Sequence, residues 1–498
     1  MTDLDPQQVD GLTDLGPETF RAALHAVADV MADYAARVES YPVFPPVEPG
    51  SLAALFPAEP PDGPAPLGRI LDDYRALIEP NATHWGHPGF MAYFATPASA
   101  AGILGEMLIA SLGQNTMLWR TSPIGTELEA VVVSWLRQGL GLPPEFDGFV
   151  TDTASTSTLI ALAGARDAAG FASAGDGVAG AGAAGLGSPR VYASAEAHSS
   201  IERACMTLGL GRAGLVKIPT DDAYAMRADA LASAIRDDVA AGRRPIAVVA
   251  TIGTTSSTSI DPVAAIADVA APHGLWLHVD AAYGGAVALL PERRGPFEGW
   301  ERADSIVVNP HKWLFAPLDA SLLLTRRMGV LRDAFSLSPE YLRTLDRSTP
   351  VRDVNEYTPV LGRRFRALKL WLMLRWFGLD GLRRRIGHHL ELAQMLAGWV
   401  DADPDFERLA PVPFSTVCLR YRPRAVVGRE AEPEVAARLD DLNARLMDAV
   451  NRTGEVFLSH TRLAGRFTIR VALGHLRGEE RHVARAWELL RREAAALG

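Results

Sequence analysis

Residues 275–285, LWLHVDAAYGG, and residues 305–313, SIVVNPHKW, decide the fold of this chain. Each opens on an apolar run without polar alternation, as expected of a strand covered on both faces in a mostly parallel sheet. The runs PIAVVATIG at 245–253 and ASLLLTR at 320–326 have the same character, and Ala/Leu-rich helical stretches separate the runs. Strands alternating with helices specify α/β architecture. In such sheets ligands sit beyond the carboxyl ends of the strands, so the residues that close each run are the ones to inspect.

Two of those ends carry complementary chemistry. Alternation along a strand sends His278 and Asp280 to one face and leaves Asp280 at the strand end, where a carboxylate is costly without a positive partner. One crossover unit later the next run ends in Asn309-Pro310-His311-Lys312-Trp313. A lysine amine beside a buried acid is what a pyridine-aldehyde cofactor requires, the amine to bond the aldehyde and the acid to hold a proton on the ring nitrogen. Lysine occurs only at Lys217, Lys312 and Lys369. Lys217 precedes a proline turn and Lys369 lies in an Arg-rich amphipathic stretch, so Lys312 is the candidate amine. A phosphate needs N–H groups and hydroxyls at a helix start, which Asp152-Thr153-Ala154-Ser155-Thr156-Ser157 offers ahead of the helical run TLIALAGARDAA. His198, in AEAHSSIERA, also precedes a helical stretch. His84 and His87 have metal-like spacing, but no Cys, Asp or Glu cluster accompanies them, so no metal site is expected.

Composition bounds the rest. At 498 residues, with 48% hydrophobic and 22% charged residues, the chain has the make-up of a compact globular protein of about three domains. A net charge of −10 has the wrong sign for a nucleic-acid partner. Only Cys205 and Cys418 are present, too few for a disulfide framework. The first basic residue is Arg21, and no uncharged stretch reaches the length of a membrane span. A cytoplasmic protein is expected, neither exported nor membrane-bound. The organisation reads as a helical arm at 1–95, interrupted by the proline-rich YPVFPPVEPG and suited to wrapping a second subunit. A large α/β domain at 96–366 and a small α+β domain at 367–498 follow. The Gly/Ala-rich stretch between Ala168 and Pro189 reads as a flexible surface insertion.

The stretches VEPG, HPGFMAYF, RTSPIGTELE, DTASTSTLIALAGAR, AEAHSSIERA, TIGTTSSTSID, LHVDAAYGG, NPHKW and LGRRFRALKLW occur in this order over nearly the whole chain. In them the sequence resembles the pyridoxal-phosphate-dependent group II amino acid decarboxylases, and within that group the aromatic L-amino acid decarboxylases. The resemblance implies an aspartate-aminotransferase-like fold (PLP fold type I), a homodimer with active sites at the interface, and decarboxylation of an L-amino acid. It implies that Lys312 bonds the cofactor aldehyde, that Asp280 pairs with the ring nitrogen, and that His198 and Ala282 cover the two ring faces. Ala154, Ser155, Asn309 and His311 are implied to hold the phosphate, with Thr255, or its neighbour Thr254, near the ring. Trp85, Tyr93, Phe94 and Thr96 line the implied side-chain pocket, together with Gly362 and with Asn115 and Met117 where a partner subunit closes it. Tyr341, in a polar segment expected to be a loop, matches the tyrosine that protonates the substrate carbon. Asn115 and Met117 stand where animal enzymes are more apolar or aromatic, so tryptophan, dopa, tyrosine and phenylalanine all remain open as substrates. A decarboxylating aldehyde synthase is the alternative activity, and a catalytically silent dimeric scaffold is a third. In the synthases the loop tyrosine or the stacking histidine is typically replaced, and both are present here.

Overall fold

The computed structural model describes residues 3–171, 177–183, 185–337 and 352–497. Its strands are, in chain order, β1 (Asp147–Thr151), β2 (Pro189–Ser194), β3 (Leu215–Ile218), β4 (Arg244–Thr251), β5 (Trp276–Asp280), β6 (Ser305–Val308), β7 (Ser321–Thr325), β8 (Phe406–Arg408), β9 (Thr416–Tyr421), β10 (Ser459–Leu463) and β11 (Arg466–Ala472). They form a seven-stranded sheet, β1-β7-β6-β5-β4-β2-β3, and a four-stranded sheet, β10-β11-β9-β8. The four runs singled out in the sequence are β4, β5, β6 and β7. In the large sheet β3, β2, β4, β5 and β6 run parallel, whereas β7 is antiparallel to both of its neighbours, β6 and β1. Two reversals restore the direction, so the carboxyl ends of β1, β5 and β6 lie along one rim.

Alternation separates two packed layers. Val248, Ala250, Leu277, Val279, Leu322 and Leu324 belong to one apolar cluster, and Ala247, Val249, Trp276 and Leu323 to another on the opposite face. The second cluster also holds Ile160 and Leu162 from the helix Ala154–Ala168 and Ile201 and Cys205 from the helix Ser200–Thr207. Because the period of a strand is two, His278 and Asp280 share the face of Trp276. Asp280 therefore ends its strand on the side where these two helices pack. The small sheet builds a separate core from Val417, Leu419, Ile469 and Val471 against the helices Pro433–Arg452 and Glu480–Leu497. The long helix Arg366–Ala402 serves both cores. Leu370, Met373, Leu382 and Ile386 pack on the large one and Leu392, Leu396 and Val400 on the small one, with a break at Gly378, φ 61°.

After a short first helix, Pro6–Asp10, the arm forms, as its Pro17 indicates, the helix Pro17–Arg37, and residues 41–50 are not helical. Only Ala23 and Val30 of that helix are buried, and Phe20, Leu24, Phe44, Phe56, Ile70 and Ile78 are exposed. Within the Gly/Ala-rich stretch lies one short helix, Gly177–Ala183. Cys205 and Cys418 are free and buried. Among the described residues no helix is long and apolar enough to cross a membrane, and no group of three His, Cys, Asp or Glu could hold a metal ion. His84 bonds the Tyr34 hydroxyl, and His87 accepts the Gly89 N–H.

One buried ion pair ties the turn before the long helix to the large domain. Arg363 donates to Glu129 at 2.7 Å, to the Val150 carbonyl at 2.8 Å and to the Thr116 carbonyl at 3.1 Å, and both charged side chains are under 5% exposed. Removing one partner leaves the other charge buried without compensation, so Arg363→Met is expected to cost about 3–5 kcal/mol in urea unfolding. A loss below about 1 kcal/mol would contradict this account of the turn.

Candidate active site

The site is assembled where β5 and β6 end. Asp280, 6% exposed, accepts the Ala282 N–H at 3.1 Å, which turns the chain sharply away from the strand. The Asn309 N–H donates to the Ala282 carbonyl, and the Lys312 N–H to the Asn309 carbonyl, so the two strand ends are laced together. The Lys312 ammonium lies 5.3 Å from the centre of the Phe94 ring. Burial lowers the Lys312 pKa from the usual lysine value, and the Asp280 charge opposes that shift. His198 responds to the same pair: burial lowers its pKa, Asp280 raises it and Lys312 lowers it. Its Nδ1 accepts the Ser200 N–H at 3.2 Å, which leaves Nε2 to carry the proton. Lys312, Asp280 and His198 thus occupy one electrostatic neighbourhood. Lys217 is exposed beside Glu202, and Lys369 is wholly buried against Glu106.

The residues implied by the resemblance to hold the phosphate are joined along the rim. The helix expected to begin after Ser157 starts at Ala154, because small residues and a hydroxyl-rich first turn are compatible with helix once β1 has ended. Ala154 and Ser155 therefore supply N–H groups of the first turn, and no side chain caps them. The Ser157 hydroxyl meets that of Ser321 at 3.0 Å, and the adjacent Ala320 N–H donates to His311 Nδ1 at 3.0 Å. Burial pushes the His311 pKa down to about 4, so its ring is neutral and offers Nε2–H as a donor. Asn309, 3% exposed, has a buried Oδ1 without a partner among the described residues. Thr254 is buried, its hydroxyl engaged by Ser257 and by the Ser259 N–H, whereas Thr255 is exposed. Gly253, at φ 92°, brings this loop against the turn after β5. A Cβ there would lie 3.1 Å from the Gly284 nitrogen.

The residues implied by the resemblance to line the pocket fall into two groups. Phe94 stacks on Tyr283 at 3.8 Å and joins Lys312, half-buried Thr96 follows it, and Trp85 and Tyr93 lie 6.1 Å apart and exposed beside Phe90 and Phe457. Asn115, Met117 and Gly362 gather elsewhere: Asn115 Nδ2 meets Met117 Sδ at 3.5 Å, and its Oδ1 accepts the Arg363 N–H. No contact within one chain joins the second group to Lys312 among the described residues. Tyr341 lies outside the described residues.

Arg470 of β11 was not anticipated from the sequence. It is 4% exposed, its guanidinium lies 5.3 Å from the centre of the Phe94 ring, and it donates to the Ser256 carbonyl and the Ser459 hydroxyl while Nη2 has no partner among the described residues. Burial lowers its pKa. A lone arginine interrupting the apolar run FTIRVALG was the available signal, since a buried charge in a strand requires a purpose.

The model of the pyridoxal-dependent decarboxylase conserved domain matches residues 49–422. The chain belongs to the pyridoxal-dependent decarboxylase family. It is 39% identical over 492 residues to tryptophan decarboxylase TDC2 of Camptotheca acuminata, covering 97% of this chain and 96% of that one. It is 38% identical to phenylacetaldehyde synthase of Arabidopsis thaliana, with 98% of each chain covered. The crystal structure of Oryza sativa TDC with PLP and tryptamine superposes with a TM-score of 0.92 at 37% identity, covering 98% of this chain and 99% of that one. Family membership makes the chain a pyridoxal-phosphate-dependent carboxy-lyase, and its large sheet is that of PLP fold type I. The residues present suit this family's cofactor: a desolvated amine, a buried carboxylate at the neighbouring strand end, an imidazole free to cover a ring and an uncapped helix start for a phosphate.

Proposed function

We propose that this enzyme removes the α-carboxyl group of an aromatic L-amino acid, releasing the amine and carbon dioxide, and that it works as a homodimer. The observation that carries the reading is the pairing of Lys312 with Asp280 across adjacent strand ends, with His198 in the same field. Bound pyridoxal phosphate supplies an aldehyde for an amine to capture and a cationic ring that accepts the electron pair left by departing carbon dioxide. Lys312 provides the anchoring amine, and the desolvation that lowers its pKa enlarges the fraction available as a nucleophile. Asp280 holds a proton on the ring nitrogen, and a carboxylate does this better than any neutral group. His198 and Ala282 confine the ring between them. Ala154, Ser155, Asn309 and His311 hold the phosphate, with Thr255 near the ring. Positive charge from Lys312 and Arg470, each 5.3 Å from the centre of the Phe94 ring, favours binding of the substrate carboxylate.

Trp85, Tyr93, Phe94 and Thr96 form one wall of the side-chain pocket. Asn115, Met117 and Gly362 form the other, contributed by the partner chain, which accounts for their separation within one chain. The exposed apolar residues of the arm are buried in the same assembly. The tryptophan and tyrosine decarboxylases among its relatives support an aromatic substrate, whereas the phenylacetaldehyde synthases support the oxidative alternative. His198 and Tyr341, both present, favour simple decarboxylation.

Asp280→Asn is expected to retain bound cofactor yet lose about 10²–10³-fold in kcat, because an amide cannot stabilise the protonated ring. Native kcat in that variant would remove Asp280 from the proposed role. The whole reading is tested on a panel of tryptophan, dopa, tyrosine and phenylalanine, with amine, carbon dioxide and hydrogen peroxide measured together. Carbon dioxide matched by amine supports it. Stoichiometric peroxide identifies the aldehyde synthase, and no turnover of any member overturns the aromatic assignment.

A further inference from the structure

Trp313 follows Lys312 directly and is almost entirely buried, and its surroundings fix it on every side. Its ring stacks on Tyr283 at 4.6 Å, Tyr283 in turn stacks on Phe94, and Phe94 underlies the Lys312 ammonium. Phe414 meets it edge-on at 6.3 Å, and Gly474 is bare where a Cβ would sit 3.9 Å from the indole Cδ1. The indole N–H has one acceptor, His389 Nδ1, at 2.9 Å. Because Nδ1 accepts, the neutral ring carries its proton on Nε2, and Nε2 lies 2.9 Å from the His475 carbonyl. His389 is 2% exposed, and burial pushes its pKa down to about 4, so it stays neutral and keeps this tautomer near pH 7.

His389 stands on the long helix that serves both cores, Trp313 on the turn after β6, and His475 on the segment that leaves β11. One imidazole therefore joins three elements by two directional bonds, and it does so one residue from the candidate amine. We infer that His389 is a positioning residue: by holding the Trp313 indole against the small domain it fixes the turn that presents Lys312, and so the angle at which the amine meets the cofactor. Its lever is backbone orientation, since the imidazole reaches Lys312 only through Trp313. A displacement of about 1 Å at a reacting group can cost about 10²-fold in rate.

This inference rests on the assignment of Lys312, so its test reads the two separately. The holoenzyme and a His389→Phe variant are reconstituted with pyridoxal phosphate, reduced with borohydride and mapped for the labelled peptide, and parallel unreduced samples give visible circular dichroism of the bound cofactor. In both proteins the label is expected at Lys312. The variant should lose half or more of the visible dichroic signal and about 10–10²-fold in kcat, with KM within about threefold. His389→Gln, whose amide both accepts and donates, should recover most of the dichroism. A purely structural histidine would lower the melting temperature and leave the dichroism and kcat unmoved, and that result overturns the inference. Label at another lysine overturns the assignment of Lys312, and the inference with it. Should the His389→Phe protein aggregate, Trp313→Phe removes the donor together with part of the indole while keeping a six-membered ring against Tyr283. It is expected to weaken the dichroism in the same way, and native dichroism in that variant is equally decisive against the proposal.

Discussion

Lys312→Ala is expected to fold as the native protein does and to lose turnover by at least about 10⁴-fold, the scale seen when a covalent catalytic group is removed. The Lys312 side chain contributes a contact with the Phe94 ring and an electrostatic interaction with Asp280, and the neighbouring turn is held through backbone bonds that alanine preserves. Burial also makes the amine a costly group to keep, so its loss should shift the melting temperature by only a few degrees. Borohydride reduction of the native enzyme should label Lys312, and the variant should take no label. Reduction that fixes cofactor to Lys217 or Lys369 would overturn the assignment. The geometry disfavours both, because Lys217 is 60% exposed at its side chain beside Glu202 and Lys369 is enclosed by Glu106 and the Pro317 carbonyl.

The second large effect is expected on products. Tyr341→Phe keeps the ring and deletes the phenolic proton, so carbon dioxide should still leave while protonation of the substrate carbon stalls. Oxygen then competes for that carbon. One amino acid, one O₂ and one water become one aldehyde, one carbon dioxide, one ammonia and one hydrogen peroxide, with O₂ reduced by the two electrons the carbon loses. The variant should release aldehyde and peroxide in place of much of its amine, and catalase-coupled oxygen uptake gives the ratio. Amine formed at the native rate with no peroxide would show that another group donates the proton, and His198 is the next to replace.

How legible the molecule was from its sequence differs from element to element. β4, β5, β6 and β7 were visible as apolar runs because both faces of each are covered, and Asp280 and Lys312 stood out because each closes such a run. Strand direction was less visible. The link 309–320 contains only the single turn Pro310–Trp313, too short for a crossover helix, and β7 is consequently antiparallel. The helix at Ala154 begins within the segment expected to precede it, since small and hydroxyl residues are accommodated in the first turn of a helix as well as at its cap. Arg470 and His389 were hidden for a different reason. Their significance lies in contacts with Phe94, Trp313 and His475, remote in sequence and set only by how the small domain packs. The two groups of pocket residues were recognised through resemblance to a family, and no periodicity in one chain would have related Asn115 to Trp85.

The reversal at β7 also governs how Lys312 can move. A strand that returns beside its predecessor brings the chain back to the rim it has just left, so the lysine sits on a short stirrup whose two feet, Val308 and Ser321, stand side by side in the sheet. Each foot is held by ladder pairs on both flanks: β6 pairs with β5 through Val307 and Asp280 and with β7 through Val308 and Leu322, and β7 also pairs with β1 through Leu322 and Val150. In its proposed role as the anchoring amine, Lys312 would exchange between cofactor and substrate by rotation about its side-chain bonds, carried on a turn held by these ladder pairs and by the Trp313–His389 bond.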